Sequence, residues 1–109
     1  MVCKENKLKY HLDGARIWNA SVKNGIDFSF FGEIFDTISV CLSKGLGCPV
    51  GSLLLCNEKD YNEAVRIRKI LGGGMRQSGY LAACGLYALE NNISRLKEDH
   101  KKAKEIESV

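Results

Sequence analysis

Lys44 follows the apolar run "TISVCLS" and is itself followed by Gly45, Gly47 and Gly51. A lysine carried to the end of a buried run is partly desolvated, which disfavours its ammonium form and leaves a more nucleophilic amine. Such an amine suits condensation with a carbonyl, and the glycines let backbone pass close to a bound group. The plainer reading is a cation that turns to solvent at a strand end. Asp13 closes "LKYHLD" and stands before Gly14 and Arg16. A carboxylate at the C-terminal end of a strand faces the crevice in which open α/β sheets bind ligands, and Arg16 offers a planar cation to the same place. The plainer reading of Asp13 is the N-cap of a following helix. Lys69 and Arg76 flank the glycine triplet at 72–74. Arg76 falls in the first turn of the helix expected from Met75, where a cation opposes the dipole and so points to an anionic partner. The alternative for both is a pair of solvated cations.

The elements that must carry these residues are legible in the pattern. Leu8, Tyr10 and Leu12 alternate, which predicts a strand over 8–13. Ile17, Trp18 and Val22 cluster on one side of a short helix that stops at Asn24-Gly25. The runs at 35–43 and 51–57 are apolar without strict alternation, the look of strands covered on both faces. Asn57 is placed to cap a helix, with Asp60 as the acid of a capping-box variant, and Tyr61, Ala64, Val65, Arg68 and Leu71 share one side of it. From Met75 a helical stripe through Leu86, Leu89, Ile93, Leu96, His100 and Ala103 predicts helix to the end of the chain. The order is α/β, yet three strands cannot easily shield both faces of a sheet.

Charge and cysteine usage exclude several classes. Net charge is +3 with basic and acidic residues interspersed, so no nucleic-acid footprint is expected. Five cysteines, with no C-x-x-C pair, argue against a disulfide framework and against a metal site. Three of them sit in apolar runs and read as buried thiols, which suits a reducing compartment. No signal-peptide core and no apolar run of about 18 residues appears, so a membrane span is not expected. A cytoplasmic location is the expectation, with an organelle-targeting segment ahead of Met1 left open.

An electron-sink cofactor such as pyridoxal phosphate needs a lysine for its aldehyde, a carboxylate for its ring nitrogen and cations for its phosphate and its substrate's carboxylate. Lys44, Asp13 and Arg16 are of those types. The segments "HLDGARIWNA", "CLSKGLGCPVGSLL" and "RKILGGGMRQSGYLAACGLYALENN" closely resemble the low-specificity L-threonine aldolases, pyridoxal-phosphate enzymes of the aspartate-aminotransferase fold (fold type I). The resemblance runs over essentially the whole chain and implies that it is the middle third of a longer enzyme. Residues 1–92 would then belong to the large cofactor-binding domain, and 93–109 to a helix leading toward a C-terminal small domain.

By the same resemblance, Lys44 matches the lysine that bonds the cofactor's aldehyde. Asp13 matches the acid paired with the pyridine nitrogen, and Arg16 the arginine beside the ring hydroxyl and substrate carboxylate. Lys69 and Arg76 match cations near the cofactor and subunit boundary. His11 and His100 do not match the family's ring-stacking histidine. The implied reaction is reversible cleavage of L-threonine or L-allo-threonine to glycine and acetaldehyde, in a homo-oligomer. The alternative is a catalytically inactive piece that keeps only cofactor-site or subunit-contact elements.

Overall fold

The computed structural model describes residues 2–109. A short helix α1 (Val2–Glu5) leads into strand β1 (His11–Gly14), followed by helices α2 (Ile17–Asn24) and α3 (Phe28–Ile34). Strands β2 (Thr37–Cys41) and β3 (Ser52–Cys56) come next, then helices α4 (Glu58–Ile70), α5 (Gly79–Asn91) and α6 (Leu96–Glu107). The sheet order is β1-β2-β3, with β1 and β2 parallel and β3 returning antiparallel to β2. Two helices fill the β1–β2 crossover, as a parallel connection requires, while the shorter segment 42–51 suffices for the antiparallel return.

Register fixes the two faces. Leu12 pairs with Ile38 and Gly14 with Val40, and these point toward α2 and α3, where Ile17, Trp18, Phe31 and Phe35 pack on them. His11 and Asp13 of β1 share the other face with Thr37, Ser39 and Cys41 of β2. Ile38 and Val40 are buried while their alternating neighbours are only half-buried. The expectation of strands covered on both faces is therefore corrected: helices pack on one face of β2, while the other is half-buried and borders a cavity shared with α4. At β3 even the inward leucines Leu53 and Leu55 are 44% and 46% exposed, because the crossover helices do not reach the edge strand.

Boundaries moved for local reasons. β1 starts at His11 rather than Leu8, because Asp36 intervenes. Its side chain accepts the Tyr10 amide, while the Tyr10 carbonyl accepts the amides of Asp36 and Thr37. Helix α3 had no counterpart among the expected elements and is started by Asp27, whose carboxylate accepts the Ser29 amide at 2.8 Å. Asn57 does stand at the N-cap of α4 but makes no side-chain capping bond. Asp60 is drawn away instead, to Lys9 Nζ at 3.7 Å. The long helix expected from Met75 begins at Gly79 and breaks over 92–95, so α5 and α6 are separate. Among the described residues, no helix is long and apolar enough to cross a membrane.

Candidate functional site

Asp13 and Lys44 lie toward the same C-terminal end of the sheet because β1 and β2 are parallel neighbours. Asp13 is the third residue of β1 and pairs with Ser39, and Lys44 lies three residues beyond the last residue of β2. Asp13 is exposed on the face turned away from α2 and α3, and its Oδ1 accepts the Ala15 amide at 3.2 Å. It does not cap α2, whose N-cap position is Arg16. Arg16 is exposed just past the same strand end. Gly14 sits between them because nothing larger fits: a Cβ there would lie 2.7 Å from the Ser39 carbonyl oxygen.

The segment carrying Lys44 is a pinned loop. The Leu42 amide donates to the Gly51 carbonyl, the Cys48 amide to the Leu42 carbonyl and the Gly47 amide to the Lys44 carbonyl. Leu42, Leu46 and Cys48 point inward and form a core with Ala88, against which Trp18, Leu89 and Ile93 pack. The Trp18 indole donates to the Cys41 carbonyl at 2.9 Å, and the Asn92 amide to the Leu46 carbonyl at 2.7 Å. Asn19 and Leu96 close over Gly45 so tightly that a Cβ there would lie 2.6 Å from Asn19 Oδ1. Lys44 itself is exposed. Of the two readings of Lys44, partial desolvation is thus corrected and the solvent-facing one agrees with its exposure: the neighbours turn into the core, and the amine is left outside. Among the described residues neither Lys44 nor Arg16 is in an ion pair.

Lys69 and Arg76 are less clearly part of this edge. Lys69 is in the last turn of α4, with its side chain folded over Gly74. Arg76 is not in a first helical turn but in the bend that precedes α5, which removes the dipole argument for an anionic partner. Both are exposed. His11 lies earlier on β1, its Nδ1 within 2.8 Å of the Thr37 hydroxyl, and His100 is on α6. A cavity of about 430 Å³ at the opposite end of β1, lined by Lys4, Lys9, Tyr10 and Asp36 among others, is remote from Asp13 and Lys44. Sequence reasoning missed Trp18, Asn19 and Asn92. Only the nearness of Trp18 and Asn19 to Arg16 could have hinted at them.

Comparison with known proteins bears on the family and the fold. The family model described as "Beta-eliminating lyase" matches residues 1–109. The low specificity L-threonine aldolase of Escherichia coli K12 is 54% identical over 100 residues, which is 92% of this chain and 30% of that protein. The Saccharomyces cerevisiae low specificity L-threonine aldolase is 49% identical over 105 residues, 95% of this chain and 27% of that one. A solved Listeria monocytogenes structure, assigned as an L-allo-threonine aldolase, superposes with a TM-score of 0.85 at 27% identity, over 96% of this chain and 29% of its own. The chain therefore spans about 30% of the length of such relatives. Its α/β fold is that of the type I pyridoxal-phosphate enzymes. From the full-length match of its sequence and the superposition of its sheet, the chain belongs to the β-eliminating lyase family.

Proposed function

We propose that this chain supplies the lysine-bearing part of a pyridoxal-phosphate-dependent threonine aldolase, a lyase that reversibly cleaves L-threonine or L-allo-threonine to glycine and acetaldehyde. The observation that carries the reading is the placement of Asp13 and Lys44 at the C-terminal edge of two adjacent parallel strands, with Arg16 just beyond. The names of the relatives support it.

The donor set fits the cofactor. It comprises one primary amine, one carboxylate and one guanidinium, and neither cation is engaged by an acid among the described residues. Lys44 would hold the aldehyde carbon, Asp13 the ring nitrogen, and Arg16 the ring-hydroxyl side and the substrate carboxylate. Lys69 and Arg76 are proposed as further cations on the cofactor or substrate side. When bound, the cofactor supplies an electron sink for the carbon left negative as the Cα–Cβ bond breaks. The charge on Asp13 favours the protonated form of a neighbouring ring nitrogen and so keeps that proton in place. Arg16 presents paired N–H donors that match a carboxylate and orient an amino acid. His11, which contacts Thr37, and His100, on α6, are not proposed as the base for the β-hydroxyl proton.

In the same reading, residues 1–92 belong to the large domain and 93–109 lead toward a small one. The active assembly is a cytoplasmic homo-oligomer acting on amino acids, with neither nucleic acid nor membrane as partner.

Pyridoxal phosphate added to the purified chain should give a new absorbance band. Borohydride should then fix a pyridoxyl group on Lys44, located by peptide mass spectrometry. Lys44→Ala should abolish both, and absence of the band in the unaltered chain overturns the tether. Glycine release from L-allo-threonine then reads turnover. A second reading, cofactor retention without turnover, is favoured by the exposure of Lys44, Asp13 and Arg16, and predicts the band without glycine.

A further inference from the structure

Two of the five cysteines are brought together beside the Lys44 loop, although 36 positions separate them in sequence. Cys48 is buried at the base of the loop, and its thiol donates to the carbonyl oxygen of Cys84, on α5, at 3.6 Å. Both line one cavity of about 410 Å³, together with Leu46, Tyr80, Tyr87 and Ala88. Cys84 is half-buried and reachable from that cavity, whereas Cys48 is almost fully covered. The pair therefore has one half-buried thiol and one covered thiol bordering the same cavity. The remaining cysteines are elsewhere: Cys41 is engaged by the Ser52 hydroxyl at the end of β2, Cys56 closes β3 and Cys3 is on α1.

We propose that Cys84 and Cys48 form a modification site that takes up small disulfides of the glutathione class and converts them into an internal disulfide. The Cys84 thiolate attacks one sulfur of the reagent, forming a mixed disulfide and releasing one small thiolate. Cys48 then gives up its proton and attacks the Cys84 sulfur, and the second small thiol leaves. Two electrons pass from the protein to the reagent, and the two thiol protons end on two molecules of reduced small thiol. Burial and the neighbouring Cys84 raise the Cys48 thiol above its ordinary range, which suits the covered partner to the second step rather than the first. The bond ties the base of the Lys44 loop covalently to α5, four residues from the amine.

The test treats the 109-residue chain with oxidised glutathione, quenches with an alkylating reagent and maps the peptides by mass spectrometry. The expected product is a Cys48–Cys84 linked peptide, lighter by two hydrogens and restored by dithiothreitol. Cys48→Ala should stop at a glutathione adduct on Cys84. Cys84→Ala should leave Cys48 unmodified over the time in which the unaltered chain reacts fully. A wild-type reaction that ends at the Cys84 adduct, or rapid modification of Cys48 in Cys84→Ala, overturns the proposal. None of these readouts depends on bound cofactor.

Discussion

The indole N–H of Trp18 donates to the main-chain carbonyl of Cys41 at 2.9 Å, joining the second residue of α2 to the last residue of β2. The same ring meets Phe28 edge-on, with centroids 5.0 Å apart. One side chain thus connects the helix after Asp13 to the root of the Lys44 loop. Trp18→Phe keeps most of the ring and removes the donor. It should lower the unfolding free energy by about 1 kcal/mol, read as a lower urea midpoint at unchanged slope. An unchanged midpoint would show that the bond contributes nothing.

Two glycines at the site should rank in a set order. An added Cβ at Gly14 meets a backbone oxygen, Ser39 O, at 2.7 Å, and the sheet cannot yield there without breaking register. At Gly45 the nearest obstacle, Asn19 Oδ1 at 2.6 Å, is a side-chain atom that can swing aside. Gly14→Ala should therefore cost about 2 kcal/mol and Gly45→Ala less, as compared in parallel thermal melts. The reverse order would mean that the sheet edge is the softer of the two.

Leu96 is 1% exposed and packs over Gly45, which makes α6 part of the support for the Lys44 loop. Leu96→Ala should destabilise the whole chain by about 3 kcal/mol in a single cooperative transition. Loss of α6 alone, seen as a separate early phase by circular dichroism, would contradict that coupling.

Acid should loosen α3 through its cap. The Ser29 hydroxyl and amide hold the Asp27 carboxyl below its ordinary value of 3.8. A depressed pKa means that the contribution is complete above that ordinary value and is lost as pH falls through the lower, folded one. Asp27→Ala should be less stable at neutral pH and should show a flatter loss of stability on acidification. Denaturation midpoints between about pH 2 and 7 check this, and parallel curves for the two proteins would refute it.

Local chemistry made much of this readable before any coordinates. The alternation at Leu12 and the runs around Ile38 and Leu54 announced strands, and the family segments drew Asp13, Arg16 and Lys44 together. What escaped depends on contacts distant in sequence. The break between α5 and α6 accompanies the use of the Asn92 amide on Leu46, 46 positions away, and no periodicity carries that information. The apolar neighbours of Lys44 left it readable as a partly desolvated or a solvent-facing amine, and the loop sends Leu42, Leu46 and Cys48 inward and leaves the lysine out. Helix α3 was hidden because its seven residues are too few to show a stripe, although Phe28, Phe31 and Phe35 stand at helical spacing. Asp60 was read as the acid of a capping box on Asn57 because its partner, Lys9, lies 51 positions earlier.

Trp18 is also the only tryptophan in the chain. Its ultraviolet emission therefore comes from a single place, the hinge between α2 and the end of β2. A pyridoxal group held at the neighbouring sheet edge would absorb in the range where indole emits and quench it, and a loosened loop would shift its colour. The protein thus carries its own unlabelled optical probe of the segment that holds Lys44.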